Sequence, residues 1–355
     1  MSAASVALTS RANASLTGPT VASPAMANPL ERRLRLAHLP TPLEPMERLG
    51  ARLGMVTGAL WVKRDDATGL AGGGNKARKL EYLCADAIER GCDTLVTGGG
   101  RQSNHVRMTA AAANRLGLAC TIVLGAEEPS TPTGNVVLDH LLAPEIVWGG
   151  PLGYYEMEDA IRSTCARLAD EGRRPYEMPI GGASAVGALG YVHAAHELLD
   201  QVEGHLDWVV VADGSGGTHA GLLAGLPLGV RVLGVDVGTR PDLDEQVPAK
   251  AAEAAAQVGL PAPSGDVLID HERFGTGYAA PTDDCRRALD LAARFEGLIL
   301  DPVYTGKALA GLVHARREDL IAHDARVVFL HTGGLPALFA ASYADWVKRG
   351  SWARA

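Results

Sequence analysis

The chain has 355 residues, is 47% hydrophobic and carries a formal net charge of −8. That length exceeds what one hydrophobic core usually serves, so two lobes are expected, and the acidic balance without long basic runs excludes nucleic acid and anionic membrane in favour of a small-molecule partner. No apolar run approaches the roughly 20 residues of a bilayer span, and Cys84, Cys92, Cys120, Cys165 and Cys285 lack disulfide or metal-ligand spacing, which predicts a soluble protein of the cytoplasm with no metal.

Residues 1–30 are rich in Ala, Ser and Thr, with Arg11 as the one charged side chain. They read as a disordered leader outside the fold, an organelle transit peptide being the alternative. Leu60-Trp61-Val62-Lys63 then predicts a strand, and Gly72-Gly73-Gly74-Asn75 delivers Lys76 to a helical pattern over Lys79 to Arg90. Strands follow at Thr94–Thr97, Cys120–Leu124, Glu145–Trp148, Trp208–Ala212, Val230–Val235 and Arg326–Leu330. Helical patterns alternate with them over Val106–Leu116, Met157–Glu171, Tyr191–Val202, Asp283–Phe295 and Ala308–Ala315. Such alternation specifies an α/β fold of mostly parallel sheets in three α/β/α layers. Pro179-Ile180-Gly181-Gly182-Ala183 interrupts the helical period and marks a hinge.

Two glycine loops carry the chemistry. Glycine permits close backbone approach to Lys76, as a Schiff-base lysine requires; a phosphate-binding or merely mobile loop with solvated lysines is the plainer reading. Lys79 is the rival amine, and a lysine one turn into a helix is ordinarily exposed. Downstream, Asp213-Gly214-Ser215-Gly216-Gly217-Thr218-His219 joins a buried strand to a helix, so its N–H groups present an anion site, most simply for a phosphate. The P-loop pattern fails for want of Gly-Lys-Ser/Thr, and the dinucleotide fingerprint fails because His219 occupies the last glycine position. A lysine loop with a separate phosphate cup is what pyridoxal phosphate requires. Gln102-Ser103-Asn104-His105 opens a helix and either caps it or offers N–H groups to a carboxylate. Asp301-Pro302-Val303-Tyr304-Thr305-Gly306-Lys307 sets a tyrosine and a threonine after a further expected strand, where a tyrosine is commonly a packed residue with its hydroxyl satisfied.

Together with Leu36 to Pro45, Val62 to Asp66 and His331-Thr332-Gly333-Gly334, these stretches resemble, in colinear order over residues 33 to 342, pyridoxal-phosphate enzymes of the tryptophan-synthase-β type (fold type II). The branch resembled contains D-cysteine desulfhydrase, L-cysteate sulfo-lyase and 1-aminocyclopropane-1-carboxylate deaminase. The resemblance implies a homodimer with a small domain at 78–188 inserted in a large one at 31–77 and 189–355. It makes Lys76 the Schiff-base lysine, gives Asn104 the cofactor's 3′-oxygen, and gives the substrate carboxylate to Ser103, Asn104 and His105. Ser103 is also implied as a relay for the α-proton. Ser215, Gly216, Gly217 and Thr218 are implied as the phosphate cup, and Tyr304 and Tyr278 as proton-handling or leaving-group contacts.

The deaminases carry glutamate at the position of Thr305. With Thr305 and Thr332, the pyridine nitrogen is expected to meet a neutral hydroxyl, which suits β-elimination. The expected activity is α,β-elimination from D-cysteine to pyruvate, ammonia and sulfide. Release of sulfite from L-cysteate comes next, with Arg101 either reading the sulfonate or sitting solvated on the surface. Behind these stand the deaminase, a racemase or β-replacement enzyme, and a cofactor-binding protein without turnover.

Overall fold

The computed structural model describes residues 28–349. Of the expected leader only 28–30 fall within them, the rest lying outside the described residues, and Leu30 already belongs to the fold: its carbonyl accepts from Tyr82 Oη at 2.9 Å. The elements run β1 (Leu43–Pro45), α1 (Glu47–Arg52), β2 (Leu60–Lys63), α2 (Lys76–Glu89), β3 (Thr94–Gly99), α3 (Asn104–Leu116), β4 (Ala119–Leu124), α4 (Asn135–Leu142), β5 (Glu145–Trp148), α5 (Tyr154–Asp170), β6 (Pro175–Glu177) and α6 (Ala185–Gln201). The second half continues with β7 (Trp208–Asp213), α7 (Gly217–Gly225), β8 (Arg231–Asp236), α8 (Leu243–Gln257), β9 (Leu268–Asp270), α9 (Asp283–Leu291), α10 (Thr305–Arg317), β10 (Val327–Leu330), α11 (Leu335–Leu338) and α12 (Ala341–Arg349).

Two sheets result. One has six strands in the order β1-β2-β10-β7-β8-β9, and the other four in the order β5-β4-β3-β6. Only β1 pairs antiparallel; Val327 of β10 lies opposite both Leu60 and Trp208, so β2, β10 and β7 share one direction. Continuous apolar runs such as Trp208-Val209-Val210-Val211 fit this arrangement, because helices cover both faces and every residue of β7 is buried. Their carboxyl ends therefore open at one edge, where the loops after β2, β7 and β10 converge. Among the described residues no helix is long and apolar enough to cross a membrane.

Several helices begin earlier than the apolar period predicts. α2 starts at Lys76 and α3 at Asn104, because their first turns bury the polar Arg78, Lys79, Asn104 and His105, which add nothing to the hydrophobic stripe; α5 starts at Tyr154, with Tyr155 and Glu156 exposed, and α6 at Ala185, capped by Ser184. Helix α9 passes at Ala292–Glu296 into a π-turn. The strand expected ahead of Asp301 is not formed, since Ile299 is exposed there and 298–301 joins neither sheet. Helix α8 escaped the periodic reading because its buried face is largely alanine, and β1, β6 and β9 because three residues hold too little pattern.

A buried ionic cluster ties α2 to its surroundings. The Arg78 guanidinium, 1% exposed, donates to both Asp65 oxygens at 2.9 Å and to both Glu197 oxygens at 2.8 and 2.9 Å. Lys63 Nζ and Tyr191 Oη complete the shell on Glu197 and Asp65, each at 2.5 Å. Breaking one member leaves the others charged and dry. Arg78→Met is expected to lower unfolding stability by about 3–5 kcal/mol, read as a lower denaturant midpoint at unchanged slope.

Candidate active site

The lysine loop is built by backbone contact. Gly73 has φ +79°, and a Cβ there would lie 1.8 Å from Asp66 O, so no other residue fits. Thr68 Oγ1 accepts from Gly74 N and donates to Gly74 O, both at 2.8 Å. Asn75 N donates to Thr332 O at 3.0 Å, and Asn75 Nδ2 to Thr218 Oγ1 at 3.0 Å. These bonds fix the first residue of α2, Lys76, against the loops after β7 and β10. Desolvation lowers its amine to about 8, with Asp213 pulling the other way.

The cup follows β7. Gly216 takes φ +84° and Gly217 opens α7, bringing successive N–H groups to one concavity. A Cβ on Gly217 would come 2.9 Å from Lys79 Nζ. Lys79 is therefore not the exposed helix-face lysine expected of its position. It is fully buried, and its hydrogen bond, to Gly181 O at 3.2 Å, involves no carboxylate. Burial and the neighbouring Lys76 ammonium drive its pKa well below the usual lysine value. A dry amine with Asp213 nearby but no carboxylate bonded to it, set behind a cup of N–H groups, fits a bound phosphate dianion. The signal was available in the spacing: residues three apart share a helix face, so Lys79 follows Lys76 inward.

Ser103 caps α3, its Oγ accepting from Val106 N at 3.3 Å, so the capping reading is met while its proton stays free to donate. Asn104 is held behind the cavity wall. Its Oδ1 accepts from Arg107 Nη1 at 3.2 Å and from Asn135 Nδ2 at 3.0 Å, and since arginine only donates, Asn104 Nδ2 is the atom left over for a ligand oxygen. Sequence reasoning missed Arg107 and Asn135, because an arginine in a helix ordinarily reads as exposed. His105 lies along the wall with neither ring nitrogen partnered among the described residues, and burial, then Lys76 and Lys79, keeps it neutral.

Tyr278 and Tyr304 meet hydroxyl to hydroxyl at 2.6 Å. Desolvation raises Tyr278 to about 12 and lifts Tyr304 well above the usual tyrosine value, so both hold their protons at neutral pH. Thr305 does not join them. Its hydroxyl donates to Asp301 Oδ1 at 2.7 Å and accepts from Asp301 N at 2.8 Å, closing the start of α10, and it does not line the cavity. The hydroxyl expected of it there is left to Thr332, which does.

Lys76, Ser103, Asn104, His105, Ser215, Gly216, Thr218, Tyr278, Tyr304 and Thr332 surround one cavity of about 320 Å³; Gly217 stands just behind it at the start of α7. Its donors, its lysine of lowered pKa and its anion cup suit an aldehyde-bearing phosphate. A family described as pyridoxal-phosphate dependent enzyme matches residues 34–333. The chain belongs to that family. It is 42% identical over 321 residues to a D-cysteine desulfhydrase of Yersinia enterocolitica, covering 87% of this chain and 95% of that one. The Salmonella typhi D-cysteine desulfhydrase is 43% identical over the same shares. The crystal structure of an ACC deaminase homologue superposes with a TM-score of 0.83 at 35% identity, covering 91% of this chain and 99% of that one. The expected two-sheet α/β fold of type II and the pyridoxal phosphate cofactor are thus those of its family.

Two expectations follow for this pyridoxal-phosphate enzyme. Lys79→Met should weaken cofactor binding about 10- to 100-fold, measured by equilibrium dialysis, while borohydride still labels Lys76. Capture of added cofactor by apoenzyme needs the neutral amine, so its rate should rise with pH below about 8 and level above it, as followed by near-violet absorbance.

Proposed function

We propose that this enzyme is a D-cysteine desulfhydrase, releasing pyruvate, ammonia and sulfide. The observation that carries the reading is a wall of the cavity that is uncharged and closed by the Tyr278–Tyr304 hydroxyl pair. The near full-length similarity to D-cysteine desulfhydrases supports it. Among the described residues no arginine lines the cavity and Arg101 is exposed, which favours a thiol over a sulfonate. A thiol needs no guanidinium.

Bound in the cavity, pyridoxal phosphate supplies an electron sink for the α-carbon of the amino acid. The cup residues Ser215, Gly216, Gly217 and Thr218, with Lys79, anchor its phosphate, Asn104 Nδ2 its ring oxygen, and Thr332 stands as the neutral hydroxyl toward its ring. Ser103 and the N–H groups of Asn104 and His105, at the amino end of α3, receive the substrate carboxylate. Lys76 Nζ, with its lowered pKa, takes the α-proton, assisted by the Ser103 hydroxyl. The Cβ–S bond breaks with its electron pair on sulfur, and Tyr278, whose ring reaches the Gly100 turn ahead of Ser103 while that of Tyr304 lies beside Gly214 of the cup, donates its proton to that sulfur. Tyr304 stays hydrogen-bonded to Tyr278 Oη and stabilises the phenolate left behind. Water hydrolyses the released enamine to pyruvate and ammonia.

The same reading takes residues 78–188 as a domain inserted in the one formed by 31–77 and 189–355, and the enzyme as a cytoplasmic homodimer. A panel of D- and L-cysteine, L-cysteate, β-chloro-D-alanine and 1-aminocyclopropane-1-carboxylate should yield sulfide and pyruvate from D-cysteine most rapidly. Faster sulfite release from cysteate overturns the assignment. Tyr278→Phe should cut kcat for D-cysteine about 100-fold and leave β-chloro-D-alanine nearly untouched, because chloride departs without a proton.

A further inference from the structure

Lys307 is fully buried on α10, three residues beyond Tyr304, and the proton transfer proposed above gives it no part. Its Nζ donates to Phe274 O at 3.0 Å and to Gly277 O at 3.4 Å. Both carbonyls belong to the segment that ends in Tyr278. A buried ammonium on two carbonyls, with no carboxylate among its hydrogen-bond partners, is costly where an apolar side chain would pack, so its worth lies in the direction of those bonds.

The segment needs such a hold. Gly275, Gly277 and Ala279 all take positive φ, at 73°, 146° and 60°, and Gly275 and Thr276 are exposed. Its other ties lie at its two ends: Arg273 pairs with Asp270 and Asp284 at 3.3 Å, and Tyr343 Oη donates to Ala279 O at 2.5 Å. Between them Ala280 N donates to Gly277 O at 3.2 Å within the segment itself, and Lys307 holds the backbone next to Tyr278 from α10, the helix that Tyr304 caps. Ahead of that helix Asp301 Oδ2 accepts from Tyr304 N at 3.0 Å, so Tyr304 is fixed directly and Tyr278 through the lysine.

We propose that Lys307 is a positioning residue for the elimination, its ammonium drawing Phe274 O and Gly277 O onto α10 so that Tyr278 Oη stays within hydrogen-bond reach of Tyr304 Oη and of the departing sulfur. The proposal rests on the proton-donor reading of Tyr278. Its test uses cofactor-loaded Lys307→Met and the milder Lys307→Gln, whose amide still donates over a shorter reach. Hydrogen exchange over 274–280 is expected to quicken about tenfold in Lys307→Met and less in Lys307→Gln, with the cofactor's absorbance retained. For D-cysteine, kcat should fall about tenfold in Lys307→Met at nearly constant KM, β-chloro-D-alanine should be spared, and Lys307→Met should cost nothing further in a Tyr278→Phe background. Unchanged exchange in both variants, or equal losses on the two substrates, or additive losses in the double variant, overturns the proposal. A Tyr278→Phe enzyme with full kcat overturns the proton-donor reading and the catalytic half of this one, while the exchange measurement alone decides the anchoring.

Discussion

Two lysine amines on one helical turn, three residues apart, one lining the cavity and the other fully buried, are the constraint around which this enzyme is arranged. Like charges at that spacing repel, and burial penalises each of them, so the first turn of α2 is unstable in isolation. Two things make it tenable. The backbone of the glycine loop is locked by Thr68 and by the Asp66 carbonyl that excludes any Cβ at Gly73, and Arg78, between the two lysines, is tied into the Asp65–Glu197 cluster. Pyridoxal phosphate, the cofactor of the family, would balance what remains, with Lys76 and Lys79 as the amines proposed to hold it.

The same economy of placement runs through the rest of the cavity. Parallel β2, β10 and β7 bring three loops to one edge, and each loop contributes what its backbone can present: Lys76 after β2, the N–H cup after β7, Thr332 after β10. Side chains that touch no ligand set the orientation of those that do. Arg107 and Asn135 decide which end of the Asn104 amide faces inward, and Asp301 consumes the Thr305 hydroxyl while fixing the start of α10. Lys76, Ser103 and the two tyrosines, proposed to share the acid–base work, line the same cavity.

Strong local signals were legible from residues alone. Buried runs such as Trp208 to Ala212 announced parallel strands, glycine loops announced backbone approach, and Gly73-Gly74-Asn75-Lys76 with Gly214 to Thr218 pointed to an amine and a phosphate cup. Elements without period were not legible: alanine-rich α8, three-residue strands, and the starts of α2 and α3, whose first turns bury polar side chains.

Residue patterns alone therefore establish the α/β class, the cofactor and the order of the motifs, because strand, turn and helix propensities and close-approach glycines act over a few neighbouring residues. Packing across the fold set the rest: Lys79 lies buried behind the cup against Gly217, Thr305 turns away to Asp301 while Thr332 lines the cavity, and Lys307 reaches the segment ahead of Tyr278. Each of those outcomes depends on which of several hydrogen-bond partners a side chain meets across the fold. Such competition among distant groups is settled by packing geometry, and no local pattern records it.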